Sequence, residues 1–252
     1  MQTLNELVNF LDNYLDIKNV KDASFNGLQV QGRKNIKKIM FAVTAGMETF
    51  KKAVDIQADM IVVHHGLFWK GVNPNLTSYN FDRVDFLIKN NISLYASHLP
   101  LDKHPEVGNN VQLLKLLGFN IDKPFAFYDG QNISFTGKAD EPKTIQKIRE
   151  ILEEELGATC KVLPFGKKEI KTMAVCSGGG GYPQLTEAIN ADVDFYLTGD
   201  STEFYHVVKD AKFNVICAGH HATETVGVKA LADLIKDKFD IATEFMDIPT
   251  GL

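Results

Sequence analysis

Seven histidines stand at positions 64, 65, 98, 104, 206, 220 and 221. Imidazole is the commonest protein ligand for transition metals and titrates near neutrality. Four of the seven fall in adjacent pairs, His64–His65 in VVHHG and His220–His221 in AGHHATE. Neighbouring side chains of an extended strand point to opposite faces, so His64 and His65 cannot chelate one ion while the strand stays regular. Gly66 permits a bend that would send the two rings to different metals about 3.5–4 Å apart, the spacing of two-metal hydrolytic sites. The plainer alternative is one ligand, or one ring bonded to the backbone, beside one packed ring. SHLPLD places Asp102 four residues beyond His98, and a carboxylate there could bridge two ions or simply cap a turn. His98 itself reads as a ligand, an orienting group, a proton carrier or a structural histidine. In GHHATE, His220 and Glu224 are four apart, so a helix starting near His221 would put both on one side of its first turn. Four imidazoles with two acids make a mixed nitrogen and oxygen set that suits zinc, iron, manganese or nickel better than calcium.

SGGGGY, residues 177–182, follows an apolar strand and precedes a helical pattern. Backbone N–H groups in such a turn can receive an anion, which makes Ser177, Gly178 and Gly179 candidate substrate contacts, although close backbone packing explains the glycines equally well. The run lacks the Lys-Ser/Thr ending of a P-loop and is no GxGxxG fingerprint. Asp200 in LTGD reads as an orienting acid or as a helix cap. Phe68 and Trp69, beside the first histidine pair, read as the wall of a pocket for a flat ring or as ordinary core.

All these residues lie where apolar strands end: IVV runs into HHG, LYA into SHLPLD, MAVC into SGGGG, FYLT into GD, and VICA into GHHATE. Ligands of open parallel sheets bind just beyond the carboxyl ends of the strands. Leu4, Leu7, Val8, Leu11, Tyr14 and Leu15 recur at helical spacing and predict an opening amphipathic helix that ends before a loop, NGLQVQG. Short β-rich runs (KKIMFAV, DMIVVH, ISLYAS) then alternate with helical segments such as METFKKAVDIQ and FDRVDFLIKNN. The stretch from Phe125 to about Leu163 reads as a join, with strands NISFTGK and ATCKVLP around the charged helix PKTIQKIREILEEEL. Alternation resumes with KTMAVCS, DFYLTG and NVICAG, helices following near Tyr182, Ser201 and Thr223, and FDIATEF ends the chain as a last strand. The expected fold is α/β: two lobes, residues 1–125 and 126–252, with mostly parallel sheets flanked by helices and the site at the strand ends between the lobes.

A chain of 252 residues that is 44% hydrophobic can bury a sizeable core, which argues against disorder. A net charge of -5 and only three arginines leave no basic footprint for a dedicated nucleic-acid binder, although an assembled ring could still present a local positive surface. Cys160, Cys176 and Cys217 make an odd count without CxxC spacing, against a disulfide framework or a zinc knuckle. The first fifteen residues carry acidic and polar groups unlike a signal or basic transit peptide, and no uncharged apolar run reaches about 18 residues. These features predict a reduced, cytoplasmic protein that does not span a membrane.

VHHGLFWKG, SHLPLDKHPEVGNN, LTGD and GHHATE, with the early NGLQVQG, resemble the Nif-three-like family, whose members are labelled type 2 GTP cyclohydrolase 1 homologues. The resemblance covers nearly the whole chain and is to the short form, which lacks the domain that longer members insert between their halves. It implies a dinuclear metal centre on His64, His65, Asp102, His220 and Glu224, two divalent ions per chain, and a ring-like homohexamer. Many members carry an aspartate where Thr44 stands here. The reading is a metal-dependent hydrolase of a nucleotide-like or small phosphorylated substrate, with His98 as the catalytic proton carrier. The alternative is a non-catalytic, metal-stabilised ring that binds protein partners or nucleic acid.

Overall fold

The computed structural model describes residues 2–251. Two compact units emerge, one made of Met1–Leu101 with Val228–Ile248, the other of Asp102–Gly227 with Pro249–Leu252.

The first unit opens with a short strand β1 (Gln2–Thr3) and helix α1 (Leu4–Tyr14). Thr3 and Glu6 form a reciprocal capping box at the helix start, and Leu7 and Leu11, four apart on one face, are fully buried. Burying each such leucine contributes roughly 1.5–3 kcal/mol. There follow β2 (Gly27–Val30), β3 (Asn35–Ile36), β4 (Lys38–Thr44), α2 (Met47–Asp55), β5 (Met60–His65), α3 (Ser78–Lys89), β6 (Ser93–Ala96) and the single turn α4 (Leu99–Asp102). Ile39 to Val43 and Met60 to Val63 are buried residue by residue, because a strand covered on both faces needs apolar side chains on both.

The second unit continues with α5 (Asn109–Leu116), β7 (Asn120–Tyr128), β8 (Gln131–Lys143), α6 (Ile145–Leu156), β9 (Lys161–Pro164), β10 (Ile170–Cys176), α7 (Tyr182–Asn190), β11 (Phe195–Thr198), α8 (Tyr205–Asp210), β12 (Asn214–Cys217) and α9 (His220–Thr223). Helix α10 (Thr225–Phe239) carries the chain back to the first unit, where β13 (Ala242–Phe245) pairs in parallel with β4. The first sheet has the order β13-β4-β5-β6-β2 and the second β7-β8-β10-β11-β12-β9.

The α/β class holds, with three differences from the sequence reading. Because β13 joins β4, the compact units divide after Leu101 and Gly227 rather than between residues 125 and 126. The supposed join is structural: β7, β8 and β9 form half of the second sheet, all three paired antiparallel, so only the neighbours of β11 run parallel there. NGLQVQG is no loop either, since Gly27–Val30 is an antiparallel edge strand on β6.

The two units are built on one plan at the start of their strands. In the first, Asp59 accepts the backbone N–H groups of Lys37 and Lys38 at 2.6 and 3.1 Å and an Arg33 N–H at 2.8 Å, while Gly32 N–H donates to Ser93 Oγ. In the second, Asp194 accepts from Lys171 and Thr172 N–H at 3.0 Å each and from Lys167 Nζ at 2.7 Å, while Gly166 N–H donates to Asn214 Oδ1. A Cβ on Gly32 would lie 2.5 Å from the Asn91 carbonyl oxygen, and one on Gly166 2.7 Å from Asn214 Nδ2, so both turns need glycine for close approach.

Candidate functional site

The first unit gathers three histidines at the carboxyl ends of β5 and β6. One donor atom each from His64, His65 and His98 lies within 4.8 Å of the others. The His64 and His65 rings are 4.6 Å apart and tilted by 48°, so adjacency in the strand does not keep them apart at its last turn into Gly66. Gly66 is indispensable there, since a Cβ would fall 2.4–2.6 Å from the Gln29 amide and Ala96.

Each ring is held by its Nδ1. His64 is fully buried and its Nδ1 lies 3.0 Å from the Ser97 carbonyl; His98 Nδ1 lies 2.9 Å from Asp22 Oδ1; His65 Nδ1 lies 3.1 Å from Thr44 Oγ1. A carbonyl or a carboxylate can only accept, so in His64 and His98 a proton sits on Nδ1, which leaves Nε2 as the ring atom that could serve as a metal ligand. Metal-binding histidines are oriented in this manner.

Asp22 organises this corner. Its carboxylate accepts from Ser24 and Leu99 N–H, from Asn26 Nδ2 and from His98, while Asn26 Oδ1 accepts the His98 N–H. Burial opposes its charge, yet the hydrogen bond and charge of His98, with the hydrogen bonds from Asn26 and the Ser24 N–H, outweigh burial and hold the carboxyl at about 2. Sequence reasoning missed Asp22 and Asn26 because 76 residues separate Asp22 from His98. No local spacing signals that pairing.

In the second unit α9 begins at His220, one residue before the expected start, and Glu224 is its C-cap. The predicted pair forms: His220 Nε2 and Glu224 Oε1 are 3.2 Å apart, and Glu224 is buried. His220 Nδ1 meets Asp200 Oδ1 at 2.9 Å, so Asp200 orients an imidazole and α8, starting at Tyr205, takes no cap from it. The hydrogen bond to Glu224 pushes the His220 pKa up to about 9; burial works against this, and the charges of Glu224 and Asp200 reinforce it. His221 is buried beside them.

Asp102, also buried, accepts from Asn109 Nδ2 at 2.9 Å and from Ser177 Oγ at 3.0 Å. Asn110 fastens the same loop by accepting the Ser177 N–H at 2.8 Å. Ser177 therefore steadies a candidate ligand. Gly178 has φ +60°, its N–H donates to Thr223 Oγ1, and a Cβ there would meet Glu224 Oε1 at 2.1 Å and His220 Nε2 at 3.0 Å. Gly179 lies against Asp200, whose Oδ2 would stand 3.3 Å from a Cβ. The glycines answer to close packing on the acid–imidazole pair, and neighbouring carboxylates make the loop a poor seat for phosphate.

The three cysteines are buried free thiols. No helix among the described residues is long and apolar enough to cross a membrane.

Residues 2–250 match the family model Duf34/NIF3 (NGG1p interacting factor 3). A "GTP cyclohydrolase 1 type 2 homolog" of Pyrococcus horikoshii is 47% identical over 98% of this chain and 99% of its own length, and that of Pyrococcus abyssi is 45% identical over 98% of each. The crystal structure of a Thermus thermophilus protein superposes with a TM-score of 0.90 at 36% identity over the full length of both chains. Matched by the family model over residues 2–250, the chain belongs to the Duf34/NIF3 family.

Proposed function

We propose that the chain binds two divalent metal ions through His64, His65, Asp102, His220 and Glu224 and works as a metal-dependent hydrolase of a nucleotide-like or small phosphorylated compound. The observation that carries this reading is the orientation of the imidazoles: the Nδ1 of His64 and of His220 meets an oxygen acceptor, and His220 Nε2 is turned onto Glu224, the acid proposed to share its metal. The mixed donors suit zinc, iron, manganese or nickel. A bound divalent ion polarises the scissile bond and lowers the pKa of its water toward neutrality.

The chain's own groups do the rest. Asp22 fixes His98 with its proton on Nδ1, so His98 exchanges protons at Nε2 and serves as the proton carrier. Ser177 and Asn109 hold the Asp102 carboxylate in one orientation. Glu224 keeps His220 protonated in the metal-free chain, so that proton must leave on loading. A homo-oligomer, the hexameric ring that the family resemblance implies, and a cytoplasmic location in keeping with three unpaired thiols complete the reading.

One observation favours a second reading: the glycine loop faces Glu224 and Asp200 and is ill suited to an anion. In that case the ring is non-catalytic, its metals are structural, and it binds protein partners or nucleic acid. Elemental analysis of protein purified without added metal decides, followed by a screen of nucleotides and phosphate esters with manganese, zinc, iron and nickel. Bound metal with turnover that vanishes in His64→Ala supports the hydrolase; tightly held metal without turnover supports the ring. Unchanged metal content in both His64→Ala and Glu224→Ala defeats the ligand assignment.

A further inference from the structure

Within the first unit a cavity of about 320 Å³ has Phe25, Phe68, Trp69, Lys70 and Val72 among the residues that line it, and Trp69 of that wall also meets the rings of His98 and His65. Phe25 and Val72 are 52% and 53% exposed although they face a concavity. Apolar, partly aromatic cavities of a few hundred Å³ with few polar groups are where small molecules bind.

The walls are fixed in advance. Phe25 N–H donates to the Phe68 carbonyl and Lys70 N–H to the Ala23 carbonyl, with Ser24 and Trp69 bridged between them. The Trp69 indole N–H is tied to the Gly66 carbonyl at 3.0 Å. Prior ordering of this kind lowers what binding costs in entropy.

The same segment reaches the histidines. Trp69 stands edge-on to His98 with ring centres 4.9 Å apart. Asp22 serves both sides, its carboxylate on His98 and its carbonyl oxygen accepting from Lys70 Nζ. Lys70 thereby holds a positive charge on the cavity wall.

We propose that this cavity is the subsite for a planar aromatic ring of the substrate, that Lys70 meets the substrate's anionic group, and that Trp69 sets the ring's position relative to His98. The proposal rests on the histidines being the reaction centre, as argued above, but its test does not need the metal. Trp69 is the single tryptophan of the chain, so its emission reports on the cavity directly. The full chain is stripped with a chelator and titrated with adenosine and guanosine 5′-monophosphate and with ribose 5-phosphate, exciting at the red edge of indole absorption where nucleotides are transparent.

The expected result is a saturable change with both nucleotides and none with ribose 5-phosphate. Affinity should fall about tenfold, worth about 1.4 kcal/mol, in Val72→Asp and in Lys70→Gln. No saturable response to nucleotides, an equal response to ribose 5-phosphate, or unaltered affinity in either cavity variant overturns the proposal. Because the nucleotide is titrated into metal-stripped protein and metal content is scored separately above, failure of one reading is distinguishable from failure of the other.

Discussion

Asp59 and Asp194 hold equivalent posts in the two units: each stands one residue before a central strand, β5 or β11, and accepts two consecutive backbone N–H groups at the start of the neighbouring strand. Each also draws in a cation from the preceding turn, Arg33 or Lys167. The clasp fixes the start of the parallel pairing, and hence the level at which the opposite strand ends deliver their functional side chains.

Asp194→Asn should destabilise the protein by about 2 kcal/mol at pH 7, the worth of a hydrogen bond to a buried charge. Burial opposes the Asp194 charge, but Lys167, the Lys171 and Thr172 N–H groups and the Thr172 hydroxyl hold its pKa below the ordinary value of 3.8. A lowered pKa stabilises the fold above that ordinary value and loses its effect as pH falls through the folded-state value. Urea unfolding of wild type and variant should therefore differ at pH 7 and converge in acid. A gap that is constant with pH contradicts the assignment.

Asp22→Asn keeps the shape of the side chain but removes the charge that holds His98. The variant should retain its metal and lose turnover by about 10–100-fold, the usual penalty for disturbing an orienting partner. Metal analysis beside a pH–rate profile checks this; a variant with wild-type rate and profile denies His98 the proton-carrying role.

Gly178→Ala forces a Cβ to 2.1 Å from Glu224 Oε1 at a φ of +60°. The left-handed conformation alone costs about 1–2 kcal/mol for a residue with a side chain. Metal affinity should drop at least about tenfold as Glu224 is displaced. Competition with a chromophoric chelator measures it, and an unchanged affinity would show that Glu224 is no ligand.

Burial raises the thiol pKa of Cys160 and of Cys217 to about 11, and that of Cys176 further still. Thiolate is the reactive form. Iodoacetamide at neutral pH should leave all three unmodified in the native protein and label all three after denaturation, as read from intact mass; rapid native labelling at any of them would contradict the packing described.

The strand ends were legible because apolar runs break into polar, histidine-rich or glycine-rich turns at these points, and His220 and Glu224 are close enough in sequence for helical geometry to join them. Asp22, Asn26 and Asn109 were not legible, because their partners are fixed only by tertiary packing. The β7–β8 hairpin had a signal that went unused: Asp129 and Gly130 have φ of 46° and 83° between the paired Tyr128 and Gln131, the two-residue turn for which Asp-Gly is favoured. Thr44 was set aside for want of the family's aspartate, yet its hydroxyl reaches His65.

The late return of β13 to β4 has a consequence for synthesis. Asp102–Gly227 is complete before β13 leaves the ribosome, whereas the first sheet, begun earlier, waits for residues 242–245 to close the β4 side. Until then β4 presents unpaired backbone groups along an apolar strand, the kind of edge that recruits other chains. A chain interrupted after Gly227 would keep that edge permanently, so premature termination should yield aggregates rather than a smaller working protein.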